Sequence, residues 1–250
     1  MTRAGPDTSL ASLRREMDEI DDAMLALLAR RITASRRVKS EKSTTGALAR
    51  SPLRPAREAE ILRRLLAKGR GQVPADLMVR LWRVILTSSS LMQAPVTIHL
   101  PHSLFTDMAS RLMLRDHFGP MAVAESRDET EALAALAGNG GDIAVCATGS
   151  AWTSPFLGGT GGDARVVAVL PVLRQPMPEF LVFGHAQPQP SGDDESLVVN
   201  DKPFTAETLA MARWHAQAGK AHIAAFPGFD AGPAGLARAG CYPTPLEASP

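Results

Sequence analysis

The 250-residue sequence contains only two cysteines, Cys146 and Cys241, and they form no CxxC pair. That scarcity excludes a disulfide framework and predicts a chain kept in reducing, cytoplasmic surroundings. No stretch approaches the roughly 20 apolar residues of a spanning helix, and residues 1–9 lack the apolar run of a signal peptide, so neither membrane insertion nor export is expected. The six histidines are scattered, and the closest two, His99 and His102, flank Pro101. No metal site is expected from them. Internal repeats are absent as well.

Glycine and proline are missing from a long stretch near the start, and that absence is informative. Residues 10–43 carry neither, with Asp7, Thr8 or Ser9 available as an N-cap, and the spacing predicts one helix of more than 30 residues. Its apolar residues Leu10, Leu13, Met17, Ile20, Met24 and Leu27 recur at alternating steps of three and four. The next position in that rhythm is Arg31. A guanidinium on an apolar stripe is costly to bury without a paired anion, so Arg31 predicts an anion site.

Residues 44–55, with Gly46, Pro52 and Pro55, break the pattern as a loop. A second helix is predicted from residues 55–57 to Gly69, carrying Ile61, Leu62, Leu65 and Leu66. A third begins near Pro74, with Leu77, Leu81, Val84, Ile85 and Leu91 as its apolar face, and ends near Gln93. One very long helix and two shorter ones cannot bury the long stripe within one small chain, so an intertwined homodimer is expected.

Charge also divides the chain. Residues 1–93 hold 18 Lys plus Arg against 10 Asp plus Glu, whereas residues 94–250 hold 9 against 16. After Pro95 short strands and helices alternate: strands at 96–100, 121–125, 142–146, 165–173 and 179–184, helices at 104–117 and 128–137, and a further short strand at 197–199. The expected organisation is an all-α domain over 1–94, a small α/β domain over 95–186, and a remnant over 187–250 whose last twenty residues are poorly ordered.

Polar residues on the helices add chemistry. Arg31 and Lys42 are 11 residues apart, which returns to nearly the same helix face about 16 Å further along. Two long side chains there can hold opposite ends of a small dianion. Arg14 lies roughly 25 Å up the helix on another face, so it can join such a pocket only from a second subunit. The third helix closes on a polar run in which Ser89 and Gln93 are i and i+4 neighbours. Glu58 stands at the start of the second helix, where a carboxylate suits the helix dipole.

In order, Leu13-Arg14, Ile20-Asp21, the run from Leu25 to Arg31, Lys39-Ser40-Glu41-Lys42, Pro55-Ala56-Arg57-Glu58 with Ile61-Leu62, and Ser89 through Gln93 form one pattern. On these residues, the stretch 10–93 resembles the all-helical chorismate mutases, including the mutase portion of bacterial P-proteins. One departure is local: the loop before Arg57 is about one residue shorter, placing Arg54 or Pro55 where an acidic residue often stands. That family position contributes its backbone N–H, so the substitution is compatible with the site.

The resemblance implies the rearrangement of chorismate to prephenate, which needs no metal, cofactor or covalent nucleophile. Arg14 from the partner subunit and Arg31 are implied to hold the two carboxylates, and Lys42 and Gln93 to donate to the ether oxygen. Glu58 and a backbone N–H near Arg54 would bind the ring hydroxyl, Ser89 would assist a carboxylate, and Arg57 would support the pocket electrostatically. Residues 96–240 are similar to a shortened prephenate dehydratase and ACT region, yet Met177-Pro178-Glu179-Phe180 stands where dehydratases carry Thr-Arg-Phe, so no dehydratase activity is expected. Two alternatives stay open: an isochorismate pyruvate-lyase on the same scaffold, and a basic helical dimer that binds nucleic acid. The acidic Asp18, Glu19, Asp21 and Asp22 weigh against the second, and neither nucleic acid nor membrane is expected as a partner.

Overall fold

Ser9 starts the first helix by offering its hydroxyl oxygen to the backbone N–H of Ser12 at 3.2 Å, and the apolar period carries it on as α1, Leu10–Thr44. In the computed structural model, residues 9–44, 51–173 and 175–247 are described, side chains 39 and 42–44 excepted. Asp7, Thr8, part of the 44–55 loop and the side chain of Lys42 thus lie outside the described residues. The chain divides into two compact units, Met1–Leu48 and Ala49–Pro250.

In the first unit, α1 is 35 residues long, roughly 52 Å at 1.5 Å per residue. Its apolar stripe is open: Met17 is 65 % exposed and Leu27 is 59 % exposed. Only a few positions, Arg31 and Ile32 among them, are partly covered.

The second unit opens with α2, Pro55–Gly69, and α3, Ala75–Leu91. Pro55 fits the first turn because its missing N–H would have no helical partner there, and Glu58 in that turn complements the helix dipole. Leu62 of α2 packs with Val79 and Leu86 of α3 and with Leu246 near the chain's end. The expected apolar face of α3 is only partly covered: Ile85 and Leu91 are half-buried, the latter against the sheet's apolar layer. Leu77, Leu81 and Val84 are exposed, while Met78, Val79, Arg83, Leu86, Thr87 and Ser90 turn inward. The helix is apolar on two sides, and pattern alone does not say which side the rest of the unit covers.

The remaining chain builds one nine-stranded mixed sheet. Its strands are β1 (Thr97–Pro101), β2 (Ala122–Ser126), β3 (Ile143–Ala147), β4 (Arg165–Leu170), β5 (Phe180–Gly184), β6 (Asp194–Asn200), β7 (Trp214–Ala218), β8 (Ala221–Pro227) and β9 (Ala237–Pro243). They lie in the order β2-β1-β3-β5-β4-β9-β6-β8-β7. β1 runs parallel to β2 and β3, whereas β3 and β5 are antiparallel, with Ile143 opposite Gly184. Alternation along β3 sends Ile143 and Val145 into one apolar layer and Ala144 and Cys146 into the other.

Two expectations change here. The single helix predicted over 104–117 is broken into α4 (His102–Thr106) and α5 (Met108–Phe118), because Asp107 caps α5 by accepting from the N–H of Ser110 at 2.8 Å and from its hydroxyl at 2.6 Å. The predicted break near residue 186 is not a structural one: β9 pairs with β4 as well as β6, joining the α/β part and the presumed remnant in one sheet. Gly240 makes that junction possible, since a Cβ there would run into the backbone of Val166. The tail is ordered through this strand, with Tyr242 fully buried. Other short helices complete the unit: α6 (Glu129–Ala135), α7 (Thr153–Leu157) and α8 (Ala206–Ala210).

Candidate active site

The expected site residues fall in both units. Arg14, Arg31 and Lys42 are on α1; Arg54, Arg57, Glu58, Ser89 and Gln93 belong to the second unit. Arg14 is exposed. Arg31 is partly buried, and that burial lowers its guanidinium pKa from the ordinary value, the desolvation expected of a cation sitting on an apolar stripe.

In the second unit the chemistry centres on Glu58. Its carboxylate is buried and its Oε2 accepts from Nη1 of Arg83, a residue of α3 that is itself only 6 % exposed. Arg83 also reaches the end of α5, where its Nε donates to the carbonyl of His117 at 3.4 Å. A cation is favoured there, among the last carbonyls of a helix. Burial first, and the charge of Arg83 second, hold the His117 imidazole well below its usual pKa. One turn further along α3, the buried hydroxyl oxygen of Thr87 has no hydrogen-bond partner among the described residues.

The other expected residues are arranged less directly. Arg54 is the N-cap residue of α2, and its carbonyl accepts the N–H of Glu58 at 2.9 Å, which puts its backbone within one turn of the carboxylate. Arg57 points elsewhere: it is exposed and pairs with Glu60 at 2.8 Å. The buried cation beside Glu58 is therefore Arg83, not its sequence neighbour. The Ser89 hydroxyl donates to the carbonyl of Ile85 at 2.8 Å, and the Gln93 side-chain amide donates to the carbonyl of Ser89 at 3.3 Å. Both are folded back on their own helix, and a ligand would have to draw them out.

Arg83 was not singled out from the sequence, although the signal was of the same kind as that of Arg31. It stands on the line Val79, Arg83, Leu86 and Ser90, a charge among residues at helical spacing. Choosing the wrong face of α3 concealed it. Beside the Glu58–Arg83 pair is a mainly apolar cleft lined by Leu53, Leu62, Phe118, Val182 and Leu246, with a volume of ≈ 60 Å³. Small-molecule sites run to roughly 300–1,000 Å³, so this cleft by itself is no substrate chamber.

Among the described residues, no group of three or more His, Cys, Asp or Glu could hold a metal ion, and no helix is long and apolar enough to cross a membrane. The arrangement offers cations and hydrogen-bond donors on helices, with one buried, ion-paired carboxylate. These groups can bind an anion and orient a hydroxyl. They do not form a nucleophile with its base.

Comparison with known proteins agrees with that inventory. Residues 13–94 match the family model of chorismate mutase type II. That stretch of the chain is thus similar to chorismate mutases. Over 119 residues it is 28 % identical to the bifunctional chorismate mutase/prephenate dehydratase of Pseudomonas aeruginosa, a match covering 46 % of this chain and 32 % of that protein. No solved structure matches the chain.

Proposed function

We propose that this protein converts chorismate to prephenate, and that it does so as a homodimer. The match of residues 13–94 to chorismate mutase type II is the observation that carries this reading. The reaction is unimolecular: the ether bond between oxygen and the ring carbon breaks as a C–C bond forms from the enolpyruvyl side chain to the ring, and the enol C–O becomes a ketone, all within one dianionic molecule. Catalysis then consists of holding the compact conformer and placing positive charge where the ether oxygen becomes electron-rich. Arg31, and Arg14 from a second copy, bind the carboxylates; bidentate geometry suits arginine for that task. Lys42 and Gln93 donate to the ether oxygen. Glu58 accepts from the ring hydroxyl beside the backbone at Arg54, and Ser89 assists a carboxylate.

Two open apolar lines support the dimer. One is the stripe of α1; the other is Leu77, Leu81 and Val84 on α3. Contiguous apolar surface of this kind marks an interface. A second copy has the same lines to offer in return.

The sheet region is proposed to lack dehydratase activity. At the Met177-Pro178-Glu179-Phe180 segment, the Pro178 carbonyl accepts the Thr148 hydroxyl at 2.7 Å and the Glu179 N–H donates to the Leu170 carbonyl at 2.8 Å, which are scaffold contacts. The test is an ultraviolet assay of chorismate loss with the product identified. Accumulating prephenate is the expected result. Pyruvate release would instead make the protein a lyase, phenylpyruvate would restore the dehydratase, and salt-sensitive DNA binding without turnover would favour the nucleic-acid reading.

A further inference from the structure

We propose that Arg83 is a positioning residue for the mutase reaction: it clamps one oxygen of the Glu58 carboxylate so that the other is presented to the ring hydroxyl of the substrate. The inference rests on the chorismate mutase reading above. Three observations carry it. Glu58 and Arg83 are both buried, and the pair they make joins α2 to α3. Arg83 uses Nη1 on Oε2 of Glu58, while Oε1 has no hydrogen-bond partner among the described residues. Arg83 is in turn fixed from outside the helical segment, by the His117 carbonyl at the end of α5.

Each link has a physical consequence. A carboxylate buried without a partner is expensive, and one facing a dianionic substrate would also repel it. Arg83 offsets both effects without contacting the substrate. Ionised, Glu58 can only accept hydrogen bonds, which suits a hydroxyl and no other group of the substrate. The anchor on α5 also gives the sheet region a part in the mutase site. Residues beyond the family match then hold the carboxylate's counter-ion in place.

A merely structural clamp would disturb every substrate alike, so the test compares two substrates on the full-length protein. One is chorismate; the other is an analogue in which hydrogen replaces the ring hydroxyl. With chorismate, Arg83→Met should raise KM about tenfold, the worth of one charge-assisted hydrogen bond, and change kcat by much less. With the analogue, which keeps both carboxylates but lacks the hydroxyl, Arg83→Met should lose clearly less kcat/KM than it does with chorismate, because only the repulsion of the dianion remains. Arg83→Lys, which keeps the charge at shorter reach, should recover most of the chorismate KM. Should Arg83→Met fail to fold, the lysine variant carries the same comparison with a smaller KM increase confined to chorismate. Equal losses on both substrates, or an unchanged KM for chorismate, would overturn the role of Arg83 while leaving the mutase assignment standing. A wild-type protein that does not turn over chorismate overturns both.

Discussion

α1 and the nine-stranded sheet use the same kinds of residue to opposite effect. Along α1, leucines, methionines and an isoleucine at helical spacing lie open; in the sheet, Ile143, Leu181 and Phe183 are sealed completely. Apolar periodicity therefore states that a surface is to be buried, not that its cover is in the same chain. The sheet finds its cover in its own helices and in a second apolar layer. For α1 the proposed cover is another copy, and the charge at Arg31 is proposed to mark where that interface gives way to a binding site.

If α1 carries cations that touch the substrate while the sheet only supports the helices that pack on it, variants of the two should fail differently. Lys42→Ala should cost the most activity, lowering kcat by about 10²–10³, the loss seen on removing one donor to a developing negative charge, while the folded dimer persists. Steady-state kinetics beside size-exclusion chromatography checks this. Near-normal turnover would break the comparison. Arg63→Ala should instead lower stability.

The reason is that Arg63 ties α2 to the sheet through four oxygens: the Ser191 carbonyl and hydroxyl, each at 2.9 Å, and the carbonyls of Asp193 at 2.6 Å and Thr244 at 3.2 Å. Losing one partly buried cation that satisfies them should cost roughly 2–3 kcal/mol in denaturant unfolding.

The smallest expected effect is that of acid on His117. Burial and Arg83 depress its folded pKa, so below about 6.5 the unfolded chain takes up a proton that the folded one refuses. Stability should fall as pH drops from 6.5 toward the depressed folded value. His117→Gln should flatten that slope in pH-dependent melts. A slope unchanged by the substitution would show that other groups set it.

Much of the helical segment was legible in the sequence. Missing glycine and proline, a three-four rhythm and Pro55 at a helix start led to three helices whose ends lie within a few residues of α1, α2 and α3. The sheet's second half was not legible. Strands β7, β8 and β9 are rich in alanine, which is depleted in strands and gives little of their branched and aromatic signature, and β9 joins strands from distant parts of the chain. Arg83 escaped for a related reason: Val84 and Leu81 looked like a core face, and the inward turn of Arg83 depends on α5 and the end of the chain, which local pattern does not report. For Arg57, which the resemblance implies supports the pocket, the sequence did not foretell the exposed pair it makes with Glu60.

Each site is proposed to be shared by two copies of the chain, and mixing two inactive variants tests this most directly. Arg14→Ala and Arg31→Ala homodimers should each be nearly inactive on chorismate. Co-refolded in equal amounts, half of the dimers combine the two variants, and each of these regains one intact site, so activity should return to roughly a quarter of wild type. A mixture no more active than its parents, with subunit exchange verified, would contradict a site built from Arg31 of one copy and Arg14 of the other.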